Sequence, residues 1–149
     1  LTFIGPSLVA HYAAAPSVDW RAAGRYLASA AAPDDFVLFV PAFTRVPVEY
    51  YFQGAQARVG LNPREVPEGS GRAARRRFAL RLEVGADQLQ RIARRHPRLW
   101  VVVALGVGTD LRAGLAPVLA SYFHRSEERT FGLVALLRWD SLLHRPEAR

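Results

Sequence analysis

Cysteine, methionine and lysine are all missing from the 149 residues. Without thiols there is no disulfide framework, no zinc–thiolate or iron–sulfur site and no cysteine nucleophile, and the redox compartment stays open. Without lysine the GxxxxGK[ST] phosphate loop cannot be built. Without an initiator methionine the chain is expected to be a piece of a longer product, or a processed one. All 20 basic residues are therefore arginine, set against 13 acids for a net charge of +7. Exclusive use of arginine reads as codon bias of a GC-rich genome and carries no functional weight. Long hydrophobic runs are missing too. The longest, Leu99 to Gly108, is about half the ~20 residues that a membrane helix needs.

What is present describes a folding chain. Half the residues are hydrophobic and 22% are charged, which excludes a disordered tail or a collagen-like repeat. Residues 16–149 are expected to form one soluble α/β domain that buries on the order of 70% of its unfolded surface. Residues 1–15 are a membrane-exit or linker segment. The stretch LTFIGPSLVAHYAAAP reads either as strand or coil packed on the domain, or as the outer end of a membrane helix.

Ser17 or Asp19 can cap a helix in which Trp20, Ala23, Leu27 and Ala31 recur on one side, with Arg21 and Arg25 on the other. Pro33-Asp34-Asp35 ends it. Phe36 to Val40 and Leu99 to Leu105 are apolar on both faces, as interior strands of a helix-covered sheet are. Arg45 to Phe52 is a short helix and Ala57 to Leu61 a short strand. Residues 62–76, with Pro63, Pro67 and Gly69-Ser70-Gly71, read as an irregular loop. Phe78, Leu80, Leu82 and Val84 alternate with charged residues, a strand with one wet face. A helix with Leu89, Ile92 and Ala93 inward ends at Pro97. A further helix carries Leu111, Leu115, Val118, Leu119 and Tyr122, and Pro117 should kink or split it. Thr130 to Trp139 reads as one last strand. The alternation predicts a three-layer, Rossmann-like domain with a mostly parallel sheet of about five strands.

Charge is localised. Residues 58–98 hold 11 arginines and 4 acids, while the rest of the chain holds 9 of each. The densest part is Arg72, Arg75, Arg76, Arg77 and Arg81. It is either a solvated face or a landing surface for phosphates, of a lipid headgroup or a lipid-phosphate carrier. Nucleic acid ranks last, since no aromatic residues interleave these arginines. Gly106-Val107-Gly108 follows a buried strand but lacks the third glycine of a dinucleotide fingerprint. His11, His96, His124 and His144 show no metal-ligand spacing. Asp34 and Asp35 are adjacent, so their side chains point apart, and a turn accounts for them. Glu49, Tyr50 and Tyr51 follow the first core strand at the end where open α/β sheets hold ligands. The tyrosines there either stack on a sugar or pack in the core. No nucleophile, base and orienting group assemble.

Four segments, in this order, carry a resemblance: Pro16-Ser17-Val18-Asp19-Trp20-Arg21-Ala22-Ala23, Pro33-Asp34-Asp35-Phe36-Val37-Leu38, Glu49-Tyr50-Tyr51-Phe52 and Arg98-Leu99-Trp100-Val101-Val102-Val103. The series resembles the C-terminal extracytoplasmic region of bacterial polytopic membrane glycosyltransferases. That superfamily includes the dolichyl-phosphate-mannose–protein mannosyltransferases and the lipid A aminoarabinose transferases. The resemblance implies a membrane-attached, periplasmic domain of an enzyme that takes a sugar from a polyprenyl-phosphate donor. Its partner would be the membrane-embedded part of the same polypeptide. The catalytic carboxylate of such enzymes lies in an early outer loop, so no catalytic residue, metal or cofactor is expected on this chain. Arg21, Tyr50 and Tyr51 are the expected substrate contacts, and Arg72, Arg75, Arg76, Arg77 and Arg81 the phosphate or membrane-surface contacts, although the last group matches no motif of the superfamily. A positive outer domain is no contradiction, because the positive-inside bias governs short loops. The alternative is a stand-alone α/β domain that binds a phosphorylated small molecule or docks a protein.

Overall fold

Two apolar segments make the centre of the sheet. A computed structural model describes residues 17–67, 78–82, 86–106 and 111–145. Strand β1 (Phe36–Val40) pairs in parallel with β5 (Arg98–Ala104), from Phe36 opposite Leu99 to Val40 opposite Val103. Because side chains alternate across a strand, each contributes to two cores. Leu38, Val40, Leu99, Val101 and Val103 pack under helices α3 (Ala86–Arg95) and α4 (Leu111–Leu119). Val37, Phe39, Trp100 and Val102 pack under α1 (Trp20–Ala30) and α2 (Arg45–Tyr51). Helices therefore cover both faces, which is why neither strand has a polar side.

The chain is α/β with one open five-stranded sheet, in the order β2-β1-β5-β7-β6. Strand β2 (Ala57–Gly60) lies parallel to β1. Beyond β5 the direction reverses: β7 (Val134–Ser141) is antiparallel to β5, and β6 (Phe123–Phe131) is antiparallel to β7. The mostly parallel sheet expected from the element order is thus corrected to a mixed one, since the last two strands form a hairpin rather than crossing over. The expected strand from Thr130 to Trp139 is split by a two-residue turn between Phe131 and Val134. Gly132 opens that turn at φ +57°, as a type II′ hairpin requires. A Cβ at Gly132 would also strike the carbonyl oxygen of Ser17. That carbonyl accepts from Leu133 N at 3.1 Å, and Val18 bridges to Gly132.

Two further expectations change. Residues 63–67, read as loop, form strand β3 (Pro63–Pro67), antiparallel to β4 (Phe78–Leu82) in a separate two-stranded sheet. Both strands of such a ribbon are edges, where proline is tolerated when its missing N–H falls on the outer side. Helix α4 is one helix of nine residues, with Pro117 in its last turn. Strand β6 carries Arg125, Glu127, Glu128 and Arg129 at the free edge of the main sheet, with a bulge between Arg125 and Glu127.

The adjacent aspartates do part company. Asp34 is exposed, whereas Asp35 is fully buried and accepts from Ala32 N at 2.8 Å, Arg98 Nε at 2.9 Å and Trp100 Nε1 at 3.0 Å. It ties the turn before β1 to the first residues of β5. Among the described residues no helix is long and apolar enough to cross a membrane.

Candidate functional site

The close meeting of α1 and α2 builds a groove of about 420 Å³. Helix α1 starts where Asp19 accepts from Ala22 N at 3.0 Å, a side-chain cap for an otherwise free amide. Its inner face is Ala23, Gly24 and Leu27, all buried. Helix α2 follows β1 through a 3₁₀ turn (Ala42–Thr44) and tolerates Pro47 because that residue falls in its first turn. Val48 and Phe52 anchor it in the core. Gly24 sets the separation: a Cβ there would lie 2.6 Å from Tyr51 Cβ and 3.1 Å from the Val48 carbonyl oxygen. Only a residue without a side chain allows the two backbones so near.

Val18, Trp20 and Arg21 from the start of α1 face Val46, Tyr50 and Tyr51 from α2 across the groove. The Arg21 guanidinium sits 5.9 Å from the centre of the Tyr51 ring, and the rings of Tyr50 and Tyr51 meet edge to face at 5.0 Å. The first distance is at the outer limit of a cation–π contact. Tyr50 is 75% exposed, so it does not pack in the core. Nearby acids are engaged: Asp19 caps α1, and Glu49 accepts from Arg45 at 2.7 Å and Arg58 at 3.4 Å. Among the described residues, Arg21 makes no ion pair. The groove therefore offers an aromatic wall, an apolar rim and one cation, a combination suited to a sugar ring or an anionic group. Among the described residues it offers no acid–base pair.

The structure thus brings together Arg21, Tyr50 and Tyr51, the three residues expected to contact substrate. Most of the arginine-rich stretch falls elsewhere in the sequence than the described residues. Arg72, Arg75, Arg76 and Arg77 lie outside the described residues, and Arg81 is on β4, at the ladder position opposite Arg64. Of the Gly106-Val107-Gly108 segment only Gly106 is among the described residues, at φ +76° beyond the end of β5. His96 Nδ1 lies 2.8 Å from the Asp34 carbonyl oxygen, and His144 Nδ1 lies 3.2 Å from that of Arg94. Among the described residues no group of His, Cys, Asp or Glu could hold a metal ion.

One cluster escapes sequence reading. The Tyr26 hydroxyl donates to Glu127 Oε1, which also accepts from Arg129 Nε at 2.9 Å, while the Arg129 guanidinium lies 4.7 Å over the Tyr26 ring. Burial and then the bond to Glu127 push the Tyr26 hydroxyl above its ordinary range. The bonds from Tyr26 and Arg129 hold the Glu127 carboxyl below the usual carboxylate range. Tyr26 also meets Trp100 and Phe131, with ring centres at 6.2 and 5.6 Å, so the cluster clasps β6 to α1. No spacing signal links residue 26 to residue 127. Compared with known protein families, curated proteins and solved structures, the chain matches none.

Proposed function

We propose that this chain is a non-catalytic, extracytoplasmic domain of a membrane glycosyltransferase that transfers a sugar from a polyprenyl-phosphate donor. The observation that supports it is a convergence: Asp19-Trp20-Arg21 and Tyr50-Tyr51, two of the segments that carry the resemblance, line one groove. In this reading the domain caps the membrane-embedded site and shapes its acceptor side. Tyr50 presents a ring to the C–H face of a sugar, and Arg21 a fork of donors to a phosphate or hydroxyl. The reacting carboxylate belongs to the membrane-embedded part of the polypeptide, the domain's partner. The helix-covered sheet is taken as a three-layer frame whose Rossmann-like part is the parallel trio β2, β1 and β5.

The coding sequence upstream of Leu1 tests this. A series of apolar stretches of ~20 residues each, with an acidic residue in the first outer loop, is the expected finding. A start codon or an unrelated domain directly upstream refutes it. In the whole enzyme, Tyr50→Ala is expected to raise the acceptor KM with little change in kcat.

A further inference from the structure

The large hydrophobic side chains exposed among the described residues are Val18, Phe43, Val46, Tyr50 and Leu142. Val18, Val46 and Tyr50 line the groove between α1 and α2. Phe43, Val46 and Tyr50, at 54%, 76% and 75% exposure, follow one another at helical spacing through the 3₁₀ turn and α2. Val18, 40% exposed, closes the row on the other rim of the groove. Apolar residues gathered in this way mark an interaction surface.

We infer that this face rests on a lipid surface bearing anionic headgroups. Residues 1–16, mostly apolar and without a charged side chain, join the described chain at Ser17. Ser17 and Val18 are fixed against the Gly132 turn, so the point at which that segment joins lies next to Val18 on the rim of the groove. Charge surrounds the patch and stays off its centre. Arg21 and Arg25 are exposed one turn apart on α1, while Arg45, exposed on α2, is paired with Glu49 at 2.7 Å. The acids beside them, Asp19 and Glu49, are held by the α1 cap and by two arginines. Tyrosine, tryptophan and arginine around a shallow apolar centre are the side chains that settle at the level of lipid headgroups. The inference orients the chain on α1 and α2 rather than on the stretch from Arg72 to Arg81. It goes beyond the glycosyltransferase reading and does not depend on it.

Vesicle binding by the whole 149-residue chain tests it, with phosphatidylcholine alone or mixed with phosphatidylglycerol. The chain is expected to bind the mixed vesicles. Val46→Glu with Tyr50→Glu is expected to weaken binding at least tenfold at an unchanged Tm, since both side chains are exposed. Lipids brominated near the headgroup are expected to quench Trp20, because Trp100 and Trp139 are buried. Arg21→Gln with Arg25→Gln is expected to weaken binding to the mixed vesicles only. Equal binding by the Val46→Glu/Tyr50→Glu variant overturns the inference. Loss of binding only when Arg72, Arg75, Arg76 and Arg77 are changed to Gln overturns it in favour of that stretch. A chain that ignores vesicles overturns it as well, and self-association abolished by the Val46→Glu/Tyr50→Glu variant would then give the face to a second copy. If the upstream coding sequence refutes the glycosyltransferase and binding persists, this inference stands alone.

Discussion

Replacing Gly24 by alanine sets two effects of opposite sign against each other. At an exposed position inside a helix the change would stabilise by about 1 kcal/mol, since glycine is the poorer helix former. Gly24 is buried, however, and the new Cβ would lie 2.6 Å from Tyr51 Cβ. Carbon atoms settle at ~3.5–4.0 Å, so a gap of roughly one ångström must open. Tyr51 Cβ is the root of its side chain, and no change of rotamer moves it; α2 itself has to retreat from α1. Overpacking of this kind costs about 1–3 kcal/mol, which leaves a net loss of up to about 2 kcal/mol once the helix gain is counted. For a chain of this size that is a fall in Tm of up to roughly 6 °C. Thermal and urea unfolding followed by circular dichroism measure it. Trp20 lines the groove that the retreat would widen, so its emission is expected to shift to the red while buried Trp100 and Trp139 stay constant. An equal or higher Tm with unchanged emission would refute the argument that Gly24 sets the helix separation.

Asp35→Ala removes three hydrogen bonds at a fully buried carboxylate and leaves Trp100 Nε1 without a partner; a loss of about 3–5 kcal/mol in urea unfolding is expected, and a loss under about 1 kcal/mol would contradict the role given to it. Glu127 has its pKa lowered by Tyr26 and Arg129, so its contribution is present above the unfolded value of ~4.3 and is lost as pH falls through the folded one. Glu127→Gln is expected to flatten the acid limb of a stability-against-pH curve, and an unaltered limb would sink the assignment. Tyr26 is shifted the other way, upward, and its contribution is present below the unfolded value of ~10 and lost as pH rises through the folded one. Tyr26→Phe should therefore flatten the alkaline limb, which the same titration reads.

The centre of the sheet was legible because β1 and β5 have no polar face, and α1 because Asp19 precedes a helical apolar stripe. Strand β6 was not. Its residues alternate little between polar and apolar, and the bulge at Ser126 breaks even that period. The Gly132 turn hid inside a run that reads as one strand, and Pro63 and Pro67 disguised β3 as loop. At the site, Tyr50 and Tyr51 stood out by their place after β1, and Arg21 by the resemblance that its segment carries. Gly24 was silent because close approach is a property of two helices and not of one. The exposure of Val46 and Phe43 has no sequence signal, since an apolar residue at helical spacing normally points inward. Asp35 was read as a mere turn residue; its role needs Arg98 and Trp100, which only the β1–β5 register brings alongside.

The charges on β6 also bear on what happens when two copies of the chain meet. An open sheet invites a second copy to add its own edge strand. Were two β6 strands to pair antiparallel about Glu127, each Arg125 would face an Arg129 and the two Glu127 side chains would face each other. Centred one half-step further on, Glu127 would face Glu128. Both registers put like charges directly opposite, which destabilises a ladder. The short segment Arg125-Ser126-Glu127-Glu128-Arg129 is close to a palindrome in charge. In these two registers an antiparallel partner identical to itself meets its own sign, and there the longest open edge of the main sheet is guarded against its own kind.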